Sequence, residues 1–452
     1  MITSQLSRLL GNPLVRRVVK NSGYLFSATG VSAAISMLQG ILAARLLGVA
    51  GFGVLGTITT FTSVINRFAS FRMGELVVKY VGQYSEAGDK PRAAAVFKAA
   101  ALAEFSASLF AFGLIWLLSP LGARYFAKDP AVAHWFVFYG LIVIANLISE
   151  SSVGLLQIFD RFRRMAVLNV FQSLVTLAII VYVYLTQGDF VGILLAYLSG
   201  KVIGALGLTG AALLEATRRW GAGWWRTPLG LLRLQRRELA HFAVSTNLSA
   251  SLSLINKDSE LLWVSYLRNP LETGYYKLAL ALANLVQLPI SPLPQATYPE
   301  LSREVARRNW PNVRYILRQG SILAGGYTLA ASLALLLFGR WAIGFFYRAE
   351  YLPAYPAVLI LLLGFLVANT FYWHRTALLS VGRPDFPTKV NLLLAVLKVA
   401  GALLLVSRFG YLASAGLLAG SYLLGVTVSV IKFRSELARR EQDLAFQDQV
   451  CP

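Results

Sequence analysis

The 452-residue sequence is poor in cysteine, histidine, acid and charge of either sign. Its one cysteine, Cys451, lies next to the C-terminus, which excludes an intramolecular disulfide and a cysteine-built metal cage and leaves the redox compartment open. The histidines His134, His241 and His374 are far apart, and neither an HExxH nor a GxxxxGK[ST] pattern occurs. A zinc-hydrolase helix and a nucleotide-binding P-loop are therefore absent, and no cofactor or metal is expected. Charged residues make up 14% of the chain, whereas a soluble domain carries about a quarter. That scarcity argues against a soluble globular enzyme. Long polar connections are missing too. The longest, 216–241, leaves no room for a nucleotide-binding or extracytoplasmic catalytic domain.

What fills the chain instead is apolar: 56% hydrophobic residues and a mean hydropathy of +0.60. A membrane-spanning helix needs about 20 such residues. Runs of that length lie at 24–44, 54–76, 99–120, 134–156, 166–186, 191–215, 242–265, 273–298, 316–338, 355–380, 390–407 and 412–432. The expected fold is an all-α polytopic membrane protein of about twelve transmembrane helices in two pseudo-symmetric six-helix bundles around a central cavity.

Lys plus Arg number 42 against 21 Asp plus Glu. In a soluble protein that excess would suggest nucleic-acid binding, but here its placement explains it. With the N-terminus inside, 28 basic residues fall in inside segments and seven outside (Arg45, Arg124, Lys128, Arg268, Arg340, Arg348 and Arg408). Basic loops are retained on the cytoplasmic side, so both termini are expected there. The basic lead-in with Leu6, Arg8, Leu9, Leu10, Arg16, Arg17 and Lys20 lacks the short apolar core of a signal peptide and reads as an interfacial helix. The 216–241 connection mixes Trp220, Trp224 and Trp225 with arginines, the composition of a membrane-surface linker, and no nucleic-acid partner is expected.

The linker separates two similar halves, 1–222 with the interfacial segment and 223–452 with a short cytoplasmic tail. An offset of 221 equates Leu46 with Leu267, Gly53 with Gly274, Ser32 with Ser253, and Asp129 with Glu350. A drift to 222 or 223 equates Asn169 with Asn391 and Asn146 with Asn369. Six spans are an even number, so both copies insert in the same sense, as in a parallel repeat about the membrane normal. Alternating-access transporters are commonly built this way.

Eleven charges fall inside the spans: Arg67, Arg72, Lys201, Lys257, Lys277, Arg375 and Lys398, with Glu104, Glu150, Asp258 and Glu260. Each costs about 2.5–3.5 kcal/mol near a helix centre, so most must face a wet cavity, pair or snorkel. Arg72 and Lys201 are placed to snorkel. The seventh span carries Ser245, Ser249, Ser253, Asn256 and Glu260 at helical spacing, with Lys257 three residues before Glu260. The first carries Thr29, Ser32, Ser36 and Gln39, and the offset sets Gln39 opposite Glu260. These two polar stripes are expected to face each other, unless the hydroxyls merely cement helix packing and Lys257 with Glu260 forms an intrahelical pair.

Cations outnumber anions within the spans, a balance best satisfied by an anionic ligand such as a phosphate or diphosphate. Arg67, Lys257, Lys277, Arg375 and Lys398 are the candidate anion ligands, and Asn284, Gln287 and Asn369 the candidate sugar-facing amides. Glu104, Glu150, Asp258 and Glu260 are candidates for ion coupling or for plain charge pairing. Pro289, Pro292 and Pro294 must bend or break the eighth span, either beside a site or at a fraying end. Gly200 with Gly204 and Gly416 with Gly420 have GxxxG spacing, which permits close helix contact.

The run Ala44-Arg45-Leu46-Leu47-Gly48 with Phe52-Gly53 resembles the polysaccharide transporter branch of the MOP superfamily, the Wzx-type flippases of O-antigen and exopolysaccharide repeat units. So do the Asp258 to Leu262 segment with Gly274-Tyr275-Tyr276, and Tyr298-Pro299-Glu300-Leu301-Ser302. Where the family often has proline after Leu-Gly, this chain has Val49. The resemblance implies a bacterial inner-membrane protein, not an enzyme, that carries an undecaprenyl-diphosphate-linked oligosaccharide to the periplasmic leaflet. It also implies membrane lipids and, as further partners in lipopolysaccharide or exopolysaccharide synthesis, a polysaccharide polymerase and chain-length proteins. The alternatives are a cation-coupled multidrug exporter of the same superfamily and a membrane polymerase or ligase of lipid-linked sugars.

Overall fold

The computed structural model describes residues 13–69, 73–242, 259–383 and 385–450, with side chains omitted for 13–26, 295 and 443–450. The described chain is helical throughout, without a strand. Its main helices are α1 (Pro13–Ala69), α2 (Lys90–Leu121), α3 (Ala133–Ala145), α4 (Ser149–Ile158), α5 (Phe162–Leu185) and α6 (Phe190–Trp220) in the first half. The second half has α7 (Glu260–Leu267), α8 (Pro270–Gln287), α9 (Leu293–Ala306), α10 (Trp310–Tyr347), α11 (Tyr355–Thr370), α12 (His374–Ser380), α13 (Asp385–Gly401) and α14 (Tyr411–Val450).

Eight stretches among the described residues are long and apolar enough to cross a membrane. Two of them each hold a pair of expected spans. Ser27–Ala69 joins the first and second through a kink at Gly48, and Asp385–Gln442 joins the eleventh and twelfth on either side of Gly410. Gly48 takes φ 65° and Gly410 φ 69°, backbone that L side chains rarely adopt. The seventh span, with Lys257 and Asp258, lies almost wholly outside the described residues.

The chain divides into two compact units. Unit 1 holds residues 1–48, 61–125 and 129–251, and unit 2 holds 49–60, 126–128 and 252–452. The segment of α1 just after the kink thus packs with the second unit. Within unit 2 it meets α8 backbone to backbone. A Cβ on Gly53 would overlap the Pro270 carbonyl and lie 2.9 Å from the Gly274 nitrogen, and one on Gly274 would overlap the Val49 carbonyl. The two glycines equated by the 221-residue offset therefore meet each other.

Other features recur at offsets of 220 to 223. Asp89 caps α2 by accepting from the Arg92 N–H, and Asn309 caps α10 by accepting from the Asn312 N–H, each followed by proline in the first turn. The fourth span of each half is broken near the equated asparagines, α3 from α4 at Asn146 and α11 from α12 just past Asn369. Buried Glu215 binds Arg161 at 2.8 Å and Arg219 at 3.3 Å, while its counterpart Glu436 binds Arg383 at 3.1 Å and Lys432 at 3.0 Å.

The prolines of the eighth span act as expected. α8 stops at Gln287, and α9 starts afresh at Leu293 with Pro294 in its first turn. The GxxxG pairs differ from each other. Cβ atoms on Gly200 and Gly204 would strike Thr176 and Gln172 of α5, whereas those on Gly416 and Gly420 would meet nothing within 4 Å. Among the described residues no helix packs against the second pair.

Gly53→Leu and Gly274→Leu should each destabilise the protein by at least the roughly 1–3 kcal/mol typical of overpacking, because backbone cannot swing aside. Gly416→Ala should be neutral within about 0.5 kcal/mol. Unfolding midpoints in detergent test this, and a stable Gly53→Leu protein would contradict the close approach.

Candidate functional site

Each unit contains a polar cavity of its own. In unit 2 the cavity, about 440 Å³, is walled on one side by α8, where Lys277, Asn284 and Gln287 follow one another at helical spacing. Thr60 of α1, Glu260 of α7, Phe365 of α11 and Tyr422 of α14 complete much of the lining. Three of the residues expected to meet substrate therefore share one wall.

Lys277 has local partners. Its ammonium lies 3.9 Å from the centre of the Phe52 ring and donates to the Phe52 carbonyl oxygen at 3.2 Å. The missing side chain at Gly56 makes room for its methylenes, since a Cβ there would come within 2.6 Å of the lysine Cδ. A cation held by one ring face and one carbonyl keeps donors for a ligand, because an ammonium has three.

Glu260 and Lys398 are 2% and 5% exposed and form an ion pair between α7 and α13. The carboxylate also accepts from the Tyr276 hydroxyl at 3.1 Å and the Ser414 hydroxyl at 3.3 Å. Sequence reading left Glu260 to pair with Lys257, which lies outside the described residues. The structure supplies Lys398 instead, 138 positions along the chain. Tyr276 entered the sequence reading only within the family-like run Gly274-Tyr275-Tyr276, and Ser414 not at all. Their role follows only from packing around a buried carboxylate that needs donors.

The remaining expected residues are elsewhere. Asn369 is buried and donates to the Thr328 hydroxyl at 3.3 Å, away from the cavity lining. Arg67 and Arg375 are exposed on α1 and α12, and neither lines the cavity. Buried Glu104 accepts from the Glu150 N–H at 2.7 Å, the Ser151 N–H at 2.9 Å and the Ser151 hydroxyl at 2.7 Å. It thus satisfies the first amides of α4 where the fourth span breaks. Glu150 itself is exposed, and Asp258 lies outside the described residues.

Unit 1 has a cavity of about 480 Å³ between α1, α5 and α6. Thr29, Ser32, Ser36 and Gln39 of the first-span stripe line it, opposite Asn169, Gln172 and Thr176, with Tyr197 and Lys201 on α6. The stripe expected to look toward the seventh span lines a cavity internal to its own unit. Gln39 donates to the Ser173 carbonyl at 2.8 Å. Lys201, eleven residues after the first residue of the 31-residue α6, is exposed and turns toward this cavity, whose lining it joins.

Residues 18–305 match the profile of the family described as Polysaccharide biosynthesis protein, and the chain belongs to that family. The resemblance to the polysaccharide branch of the MOP superfamily is borne out. The chain is 25% identical over 348 residues to the inner membrane protein YghQ of Escherichia coli K12, covering 76% of this chain and 96% of that one. In fold it is similar to a multidrug resistance MATE family transporter of the MOP superfamily in an inward-facing conformation, with a TM-score of 0.70, 14% identity, and 91% of this chain and 96% of that one covered. The lipid II flippase MurJ in an inward closed conformation gives 0.68 at 14% identity over 91% of this chain and 87% of that one. A MOP superfamily transporter from Pyrococcus furiosus gives 0.65 at 14% identity, covering 94% and 96%. The protein is thus an all-α polytopic membrane protein with the MOP fold.

Removing one member of a buried ion pair costs about 3–5 kcal/mol, whereas replacing both with apolar side chains is often neutral. Glu260→Leu and Lys398→Met should each lower the unfolding midpoint, and the double variant should recover most of the loss. Additive losses in the double variant would show that the pair is not coupled.

Proposed function

We propose that the protein is a flippase that moves an undecaprenyl-diphosphate-linked oligosaccharide, an O-antigen or exopolysaccharide repeat unit, across the bacterial inner membrane by alternating access. The observation that carries this reading is the α8 wall of the unit 2 cavity, where a lysine and two amides stand in file in a membrane-spanning protein. Lysine suits a phosphate oxygen and the amides suit sugar hydroxyls. Membership of the polysaccharide biosynthesis family and the inner-membrane designation of the YghQ relative support the substrate class and the location.

In this mechanism Lys277 engages the diphosphate, Asn284 and Gln287 meet the sugar, and the lipid tail stays in the bilayer. Arg67, Lys257, Arg375 and Asn369 belong to the proposed substrate path at other stages of transport. Lys398 belongs to the proposed anion ligands, held in reserve by its pairing with Glu260, and Glu260, Glu104, Glu150 and Asp258 remain the set from which an ion-coupling role is to be sought. The excess of basic residues in the inside segments supports a cytoplasmic position for both termini. Export of cationic drugs is disfavoured because the acidic group in the cavity lining, Glu260, is neutralised by Lys398. A polymerase or ligase reading lacks a connection long enough to form an extracytoplasmic domain.

Cells without the protein should accumulate undecaprenyl-diphosphate-linked oligosaccharide in the cytoplasmic leaflet, measured by mass spectrometry of lipid extracts, and complementation should clear it. Accumulation on the periplasmic side would point to a polymerase or ligase. Lys277→Gln should slow transport about ten- to a hundredfold at normal abundance, the equivalent of losing roughly 1.5–3 kcal/mol from a charged hydrogen bond. Full transport by that variant would remove Lys277 from the substrate path.

A further inference from the structure

The two units place their charge differently. In unit 2 the buried charges on α7 and α13 cancel, Glu260 against Lys398. The offset of 221 carries Glu260 onto Gln39, and an offset of 222 carries Lys398 onto Thr176, so both positions are neutral in unit 1. The reverse substitution occurs on the sixth span of each half. Lys201 of unit 1 stands where unit 2 has Tyr422, and each lines the cavity of its own unit. Unit 1 has thus lost the internal pair and gained an uncompensated cation.

Among the described residues Lys201 is the one charged side chain in the lining of that cavity, and no carboxylate accompanies it. No ion pair among the described residues involves it. The rest of the polar wall is hydroxyl and amide. One of those hydroxyls, the Ser32 Oγ, is buried without a hydrogen-bond partner among the described residues, which a native interior seldom tolerates unless a ligand or water completes it. A cation on a membrane-spanning helix that faces a polar cavity is stabilised by an anion brought to it. Hydroxyls and amides around the cation match a polyhydroxylated ring, because each such group both donates and accepts. A volume of about 480 Å³ lies within the range of small-molecule sites.

We propose that the unit 1 cavity is a second substrate site, for a sugar-sized group bearing one anionic charge, with Lys201 as the binding cation and the α1 stripe as the hydroxyl-facing wall. The proposal rests on the flippase reading for its biological setting, but the cavity's ligand chemistry is separable from it. The anionic sugar has two sources, an acidic sugar within the oligosaccharide or the sugar phosphate next to the lipid carrier. In the first case the unit 1 site would make the transporter selective for charged over neutral repeat units, and in the second it would hold the lipid-proximal end that all repeat units share.

The test is titration of the purified full-length protein in nanodiscs with glucuronate, glucose 1-phosphate and glucose, followed by saturation-transfer NMR. At least one anionic sugar should bind ten or more times tighter than glucose. Lys201→Gln should bring it to the glucose level, and Lys201→Arg should hold it within a few-fold. Preference for glucuronate assigns the acidic sugar, and preference for glucose 1-phosphate assigns the sugar phosphate. Equal binding of all three by the unaltered protein overturns the proposal without need of a variant, and so does undiminished anion binding by Lys201→Gln. A Lys201-dependent site in a protein whose loss causes no lipid-linked intermediate to accumulate would leave the site standing and remove the flippase reading. Accumulation with Lys201-independent binding would do the opposite.

Discussion

Hydrocarbon offers backbone amides and carbonyls no partner, so every break in a spanning helix must be repaired from within the protein. The architecture depends on how each break is answered. At the α3 to α4 break, Glu104 reaches from α2 to take the first free N–H groups of α4, while the Asn146 side chain donates back to Ile142 and accepts from Ser149. At the Gly48 kink the helix changes direction through a conformation that glycine reaches without strain. After α8, prolines that carry no N–H occupy the turn and the first positions of α9, where an N–H would lack a helical partner. Discontinuity is therefore confined to positions whose chemistry can absorb it.

Buried charge follows the same logic. Glu215, Glu436 and Glu260 are all shielded, and each is met by cations on a neighbouring helix or connection. The first two sit toward the ends of the sixth and twelfth spans and hold basic connections against the helices. Glu260 differs because it borders a cavity, where its pairing with Lys398 removes a free negative charge from a space in which Lys277, Asn284 and Gln287 are available for contact. The halves differ at their cavities: unit 2 cancels Glu260 against Lys398, and unit 1 presents Lys201 in its lining.

Much of this was legible in the sequence because hydropathy and helical spacing are local properties. The apolar helical character, the proline break, the equivalence of Gly53 with Gly274, and the shared face of Lys277, Asn284 and Gln287 all follow from residues within a few turns of one another or from a fixed offset. What could not be read was which face meets which. The Thr29 to Gln39 stripe announced a polar surface but not that α5 and α6 cover it, nor that Lys201 of α6 shares its cavity. The Glu260 to Lys398 pair spans 138 positions, beyond any periodicity. One signal did exist: both positions are neutral in the first half and carry opposite charges in the second, a joint change that the repeat alignment exposes.

The excursion of residues 49–60 into unit 2 has a consequence for biogenesis. These residues leave the ribosome early, yet the surface that Gly53 seats against, around Gly274, is made 221 residues later. At about 5–20 residues per second the arm waits roughly 10–40 s for its counterpart. During that interval a helix with a bare, glycine-notched backbone face stands in the membrane without the groove that fits it. The first half of the chain is therefore an unfinished object until the eighth span arrives, and the duplicated halves, though alike, do not mature as independent molecules.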